Sequence, residues 1–235
     1  MKKILITGAN KGIGFETARQ LIAAGHTVYL GSRDAERGQW AAAELGARLV
    51  QLDITDDASV AAAAQAIADD GGLDVLVNNA GIEARTEGNG VVDARNVTAD
   101  IMRETFETNV FGTVRVLHAF VPLLERSDSP VIVNVSSGLA SLTALSNPEF
   151  LGVGYPGVAY PASKTAVNML TVQFAKAFPA MRINSVEPGF TKTDLNGNTG
   201  VQTVAQGASI IVKMAQVGAD GPTGGFFYAE GELPW

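Results

Sequence analysis

Apolar positions along the chain fall into two patterns. Ile4–Thr7, Thr27–Leu30, Arg48–Leu52 and Leu73–Asn78 are short runs rich in aliphatic and β-branched residues, too short for helices and suited to buried strands. Between them, apolar residues recur three and four positions apart. Ile13, Thr17, Leu21 and Ala24 share one face of a helix over Gly12–Ala24, which Gly25 stops. The alanine-rich Ala35–Leu45 predicts a second helix. Asp56 can cap a third, running through about Ala68. The alternation continues with helical periodicity over Thr98–Glu125, a strand at Pro130–Ser136 and a helix over Tyr160–Ala177, where Pro161 is tolerated in the first turn. Strands follow at Arg182–Glu187 and Gly225–Tyr228.

Strands alternating with helices predict an α/β fold, a doubly wound parallel sheet of about seven strands with helices on both faces. Its crossovers should be right-handed. No repeat or low-complexity linker divides residues 1–235, so one domain is expected. The irregular stretches Glu83–Val97, Gly138–Val158 and Pro188–Val201 all follow strands. Loops in that position form the ligand crevice of a doubly wound sheet.

Composition narrows the function. The chain is 46% hydrophobic, enough for one full core. A net charge of −7 argues against nucleic acid as a partner. Without cysteine there is no disulfide or thiol chemistry, and a cytoplasmic location is expected. His26 and His118 are far apart, so no catalytic zinc site is expected; His118 reads as a core or interface residue. The apolar run before Thr7 is too short for a secretory core or a membrane span, so no membrane partner is expected.

Two motifs carry chemistry. Tyr160 and Lys164 are one helical turn apart on one face, and a fixed cation beside a phenol should lower its pKa below the usual ~10. Such a phenol can exchange a proton with an alcohol or carbonyl. Thr7-Gly8-Ala9-Asn10-Lys11-Gly12-Ile13-Gly14 follows a strand and opens a helix. Its glycines let the backbone approach a pyrophosphate, and the helix N-terminus supplies free N–H groups. Its spacing, G-x-x-x-G-x-G, departs from the commoner G-x-G-x-x-G. Together the motifs predict proton transfer beside a bound dinucleotide.

That glycine spacing with the Tyr160–Lys164 pair resembles the short-chain dehydrogenase/reductase family. Further motifs agree in order: Asn78-Asn79-Ala80-Gly81 after the fourth strand, Asn109 in Thr108-Asn109-Val110, Ser136-Ser137 ending the fifth strand, and Pro188-Gly189 before Thr191 and Thr193. The resemblance spans essentially the whole chain and implies a single Rossmann-type domain. It implies a catalytic set of Asn109, Ser137, Tyr160 and Lys164. Tyr160 would give its proton to the carbonyl oxygen and Ser137 would stabilise that oxygen. Lys164 would bind the nicotinamide ribose, and Asn109 would hold a water feeding protons toward Lys164. Strand alternation lets only one of Ser136 and Ser137 face the cleft, and the family pattern favours Ser137.

The resemblance also implies the cofactor contacts. These are Gly8, Asn10, Lys11, Gly12, Ile13 and Gly14 in the loop, Arg33, Asp53 at the adenine, Ile54, and Asn79, Ala80 and Gly81 at the adenosine ribose. Tyr160, Lys164, Pro188, Gly189, Thr191 and Thr193 would complete the site. NAD sites place an acid after the second strand to hold the ribose 2′-hydroxyl. Ser32 stands there instead, followed by Arg33, with Lys11 in the glycine loop. Two cations converging on a 2′-phosphate point to NADP(H).

Ser137 and Tyr160 are 23 positions apart, wider than in many family members. This insertion, with Gly8-Ala9-Asn10-Lys11-Gly12, resembles the carbonyl-reductase branch. Its Leu142, Leu145, Pro148, Phe150, Leu151 and Tyr155 are expected to wall a pocket for an apolar substrate. The reading is therefore an NADPH-dependent reductase of a small ketone or aldehyde, reversible on an alcohol. Alternatives are a 3-oxoacyl-carrier-protein reductase, whose acidic carrier would want a basic surface, and an NADP(H)-sensing regulator, which would not need the Ser–Tyr–Lys set. The resemblance implies a homo-oligomer, dimer or tetramer, packed through the Tyr160–Lys164 helix and the helix before it. Arg85, Glu87 and Arg95 are expected in solvent, Lys192 and Asp194 as surface charges, and Trp40 and Trp235 in packing.

Overall fold

The computed structural model describes residues 1–235, apart from the side chain of Leu151. Its strands are β1 (Lys3–Ile6), β2 (Thr27–Ser32), β3 (Arg48–Gln51), β4 (Val75–Asn78), β5 (Val131–Val135), β6 (Arg182–Val186), β7 (Phe226–Tyr228) and β8 (Gly231–Glu232). They form one sheet in the order β3-β2-β1-β4-β5-β6-β7-β8, parallel except for the β7–β8 pair. Strand β8 was not expected. It folds back on β7, and Trp235 beyond it stacks on Phe226 with ring centres 5.6 Å apart.

The helices are α1 (Gly12–Ala23), α2 (Ala35–Leu45), α3 (Asp57–Asp69), α4 (Ala99–Phe106), α5 (Thr113–Leu124), α6 (Leu142–Leu145), α7 (Ala159–Ala177) and α8 (Val204–Ala215). Alternating strand residues feed two apolar layers. Leu5 of β1 packs into the layer with Ile67 of α3 and Phe120 of α5. Its neighbours Ile4 and Ile6 pack opposite, with Leu21 of α1 and Ile211 of α8. β5, Val-Ile-Val-Asn-Val, is buried at every position, as a strand covered on both faces must be. Each fully buried Leu or Ile there contributes about 1.5–3 kcal/mol.

Three departures from the sequence reading matter. Helix α8 was not anticipated, although Thr203 and Gln206 form a reciprocal cap at its start. It packs on α1 and covers one face of the sheet. The helical stretch expected over Thr98–Glu125 is interrupted by a π-helical turn, Glu107–Gly112, which carries Asn109. The insertion contains α6 and short 3₁₀ turns. Asp34 and Asp56 cap α2 and α3 through the N–H groups of Arg37 and Ser59.

Under the strand ends runs a buried polar ladder. Asn78 Nδ2 donates to Asn134 Oδ1 at 2.8 Å, and Asn134 Nδ2 donates to Thr171 Oγ1 at 2.8 Å. Thr171 and Ser185 hydroxyls meet at 2.8 Å. This ladder joins β4, β5, β6 and α7 beneath the crevice.

Candidate active site

The chain leaves β1 toward β2 and β3 on one side, while β4 begins the other side, so a crevice opens where β1 and β4 lie adjacent. The glycine loop occupies it. Gly8 and Gly12 take positive φ, +62° and +58°, and a Cβ on Gly8 would lie 3.0 Å from Ala80 Cα. A Cβ on Gly14 would lie 2.5 Å from Asn79 Nδ2 and 2.8 Å from the Gly8 carbonyl. Asn79 Nδ2 holds the loop by donating to the Thr7 and Gly8 carbonyls at 2.9 and 3.1 Å, and Thr7 Oγ1 accepts from the Ala80 N–H at 3.0 Å. No side chain caps the start of α1. Its first N–H groups, with Ile13 among them, are therefore open to phosphate oxygens.

Beside the loop lies a groove lined by Asn10, Lys11, Asp34, Glu36, Arg37 and Trp40. Arg37 and Trp40 were not expected there; Trp40 is 65% exposed and stacks on Phe15. Ser32 is fully buried, and its hydroxyl donates to the Asp34 carbonyl at 2.7 Å, away from the groove. Arg33 is exposed and acts on Asp53. Burial pushes the Asp53 carboxyl up, but bonds from Thr55 and the Arg33 charge outweigh it and hold the group low. Ile54 turns its side chain onto Gly112. Asp194 is a surface charge, as expected, and pairs with the exposed Lys11 at 2.8 Å.

Pro188 and Gly189 follow β6, Gly189 at φ +81°. Thr193 reaches the glycine loop, its methyl 3.6 Å from where a Cβ on Gly12 would lie. Thr191 goes elsewhere. It is 3% exposed, and its hydroxyl donates to the Pro188 and Gly189 carbonyls.

The four expected catalytic residues converge. The Ser137 side chain acts on the Tyr160 phenol and favours its ionised form, whereas Ser136 is buried and donates to the Lys164 carbonyl at 3.4 Å. Asn109, 1% exposed, donates from Nδ2 to Ser163 Oγ at 2.9 Å, and Ser163 donates to the Tyr160 carbonyl at 2.7 Å. A Cβ on Gly81 would lie 3.3 Å from Asn109 Oδ1 and 3.4 Å from Lys164 Nζ.

The electrostatics correct one expectation. The phenol of Tyr160 is raised, not lowered. Burial is the largest cause, followed by Glu83 and Glu187, against the Ser137 side chain and Arg85. Lys164 Nζ donates to the Val135 carbonyl at 2.7 Å and stands 5.7 Å from the phenol ring centre. Burial pushes the Lys164 ammonium down to about 8.

Neither carboxylate was singled out in the sequence. The Glu187 carboxyl carbon lies 3.6 Å from where a Cβ on Gly138 would be. Burial pushes it up, while the Gly189 and Gly138 N–H groups oppose. Glu83 accepts hydrogen bonds from Tyr155 and Arg85, so Arg85 lies in the site wall and not in solvent. Glu87 and Arg95 are exposed, as expected. So is His118, which is therefore no core residue. Phe150 packs toward Gly138, whereas Leu142 is 65% exposed. Leu151, expected in the wall, has a side chain outside the described residues.

Among the described residues no helix is long and apolar enough to cross a membrane. A family model described as short chain dehydrogenase matches residues 2–203. The chain is 34% identical over 296 aligned positions to a (+)-neomenthol dehydrogenase of Capsicum annuum, covering 95% of this chain and 94% of that protein. It is 33% identical over 303 positions to a salutaridine reductase of Papaver bracteatum, covering 99% and 96%. Both alignments are longer than the 235 residues of this chain, so these relatives carry stretches it lacks. The structure of salutaridine reductase from Papaver somniferum superposes with TM-score 0.84 at 31% identity, covering 97% of this chain and 100% of that one. An NADPH-bound carbonyl reductase from chicken fatty liver superposes with TM-score 0.85 at 27% identity, covering 100% and 99%.

Proposed function

The chain belongs to the short-chain dehydrogenase family, and we propose that it is an NADPH-dependent carbonyl reductase with Tyr160 as proton donor. The observation that carries this reading is the convergence of Asn109, Tyr160 and Lys164 at the crevice, with the Ser137 side chain acting on the phenol.

The residues present fit a dinucleotide. The uncapped start of α1, with Gly8, Asn10, Gly12, Ile13 and Gly14, suits a pyrophosphate. Lys11, Arg33 and Arg37 would hold a 2′-phosphate, and with Ser32 where an acid would stand the usual partner of a free 2′-hydroxyl is missing. Asp53 and Ile54 would border the adenine, and Asn79, Ala80 and Gly81 its ribose. Pro188, Gly189 and Thr193 would border the nicotinamide half, while Thr191 would only brace their turn. When bound, the reduced nicotinamide supplies the hydride.

The protein's share is positioning and proton flow. Ser137 donates to the carbonyl oxygen and stabilises charge developing there. Tyr160, kept protonated by burial and its acidic neighbours, delivers its proton to that oxygen. Lys164, with its ammonium over the ring, is placed to hold the ribose, and Asn109 fixes the backbone of Ile82 beside it. Exposed Phe111, Val114 and Met169 on or beside α5 and α7 support a homo-oligomer, and the absence of cysteine suits the cytoplasm.

The test is NADPH oxidation over a panel of ketones and aldehydes, wild type against Tyr160→Phe. Turnover should fall about 10²–10⁴-fold in the variant with NADPH binding kept. A wild type that binds NADPH tightly yet reduces no carbonyl would overturn the reading in favour of a sensor.

A further inference from the structure

Glu83 is anchored on the catalytic framework. Its neighbour Ile82 is gripped from both sides by Asn109, whose Oδ1 accepts from the Ile82 N–H at 2.8 Å and whose Nδ2 donates to the Ile82 carbonyl at 2.9 Å. The Glu83 side chain is only 6% exposed. It accepts one hydrogen bond from Tyr155, in the insertion after β5, and another from Arg85, in the loop after β4.

The Tyr155 contact joins the insertion to the loop after β4, and it is not alone in doing so. Arg85 bridges to Val91 within its own loop, and Asp93 bridges to Gly157 in the insertion. The joined loops close beside Tyr160. Glu83, Tyr155, Val158 and Tyr160 line a residual cavity of about 10 Å³, room for one water at most. The arrangement is costly for a purely structural tie. An ion pair taken out of water is offset only when every donor is matched, and Arg85 Nε is buried with no partner.

We propose that Glu83 is a positioning residue for the reduction: by holding Tyr155 and Arg85 together it fixes the wall that seats a carbonyl against Tyr160. The inference rests on the reductase reading of Tyr160. It carries an electrostatic consequence. Glu83 and Glu187 favour the neutral phenol. Arg85 and the Ser137 hydroxyl oppose them, Lys164 stands across the ring, and Tyr155 bonds the same carboxylate. Neutralising Glu83 therefore makes the phenolate easier to form.

The test compares wild type, Glu83→Gln and Tyr155→Phe, with cofactor, in carbonyl reduction and in the reverse oxidation of the alcohol. In Glu83→Gln the pH at which oxidation rises should move down by about half a unit or more. In Tyr155→Phe the KM for the carbonyl should rise roughly 2- to 10-fold with kcat nearly kept, because one hydrogen bond of the wall is lost. NADPH affinity should be retained in both; Glu83→Gln should melt lower, because Arg85 loses its carboxylate, and if it does not fold, the KM of Tyr155→Phe decides. An active wild type whose pH profile and KM are unchanged in the folded variants overturns this proposal alone. A wild type inert toward every carbonyl and alcohol overturns the reductase reading and this one with it.

Discussion

Lys164 and Val135 are joined by a 2.7 Å hydrogen bond from the ammonium to the strand carbonyl, which holds the ammonium over the Tyr160 ring, 5.7 Å from its centre. The lysine is 5% exposed, and burial lowers its pKa to about 8, below the unfolded value of about 10.4. As pH falls, the unfolded chain takes up this proton first. The buried lysine therefore costs stability in full below pH 8, and the cost fades as pH rises toward the unfolded value. Between pH 8 and 10 the cofactor-free wild type should gain about 2 kcal/mol over Lys164→Met in urea unfolding. Parallel stability curves for the two proteins would show that the lysine is not buried as described.

The exposed Lys11–Asp194 pair competes with any phosphate for the same ammonium. A pair this exposed is worth about 0.2–1 kcal/mol. Asp194→Asn should tighten NADPH by roughly 1.5- to 5-fold and leave NADH unchanged. Lys11→Ala should weaken NADPH about 10-fold or more. Fluorescence titrations with both nucleotides read both effects, and equal changes for NADH would contradict the assignment of this groove to the 2′-phosphate.

A side chain at Gly14 has nowhere to go. Its Cβ would lie 2.5 Å from Asn79 Nδ2 and 2.8 Å from the Gly8 carbonyl. Gly14→Ala should cost about 1–3 kcal/mol and abolish dinucleotide binding, since the loop and the start of α1 must separate. Nucleotide titration beside a thermal melt checks this; retained affinity would show that the loop yields without harm.

The ladder under the site should be sensitive at its centre. Asn134→Ala leaves the Asn78 amide donor and the Thr171 hydroxyl without their shared partner in a buried setting. The expected loss is roughly 2–4 kcal/mol in urea unfolding. A loss under about 0.5 kcal/mol would mean that water enters and replaces the bonds.

Local pattern carried much of this architecture into view. The four-residue spacing of Tyr160 and Lys164, the glycine loop and the alternation that lets only one of Ser136 and Ser137 face the cleft are short-range features; the choice of Ser137 came from the family resemblance. Helix α8 has an equally local signal, the Thr203–Gln206 cap before Ile210, Ile211 and Met214. The direction of the Tyr160 shift could not be read the same way. The sequence displays the lysine four residues away, whereas burial, the largest cause, and the carboxylates of Glu83 and Glu187 are set by distant parts of the chain. The Glu83–Tyr155 contact spans 72 residues between two irregular loops, where no periodicity signals a meeting. Nearness of Glu83 to Asn79-Ala80-Gly81 was the available clue.

The adjacency of β1 and β4 has a kinetic side. The Lys3 N–H donates to Asp74 across 71 residues, so the central pair of the sheet closes only after β2, β3 and α1 to α3 have been accommodated. Such non-local parallel pairing is slow to form. Asn79 and the glycine loop meet only through that closure, and so do the two halves of the crevice. A chain with its helices formed but β1 and β4 still unpaired would therefore lack the nucleotide site. During refolding, cofactor binding should recover after helical content, and added nucleotide should favour the last step without hastening the first.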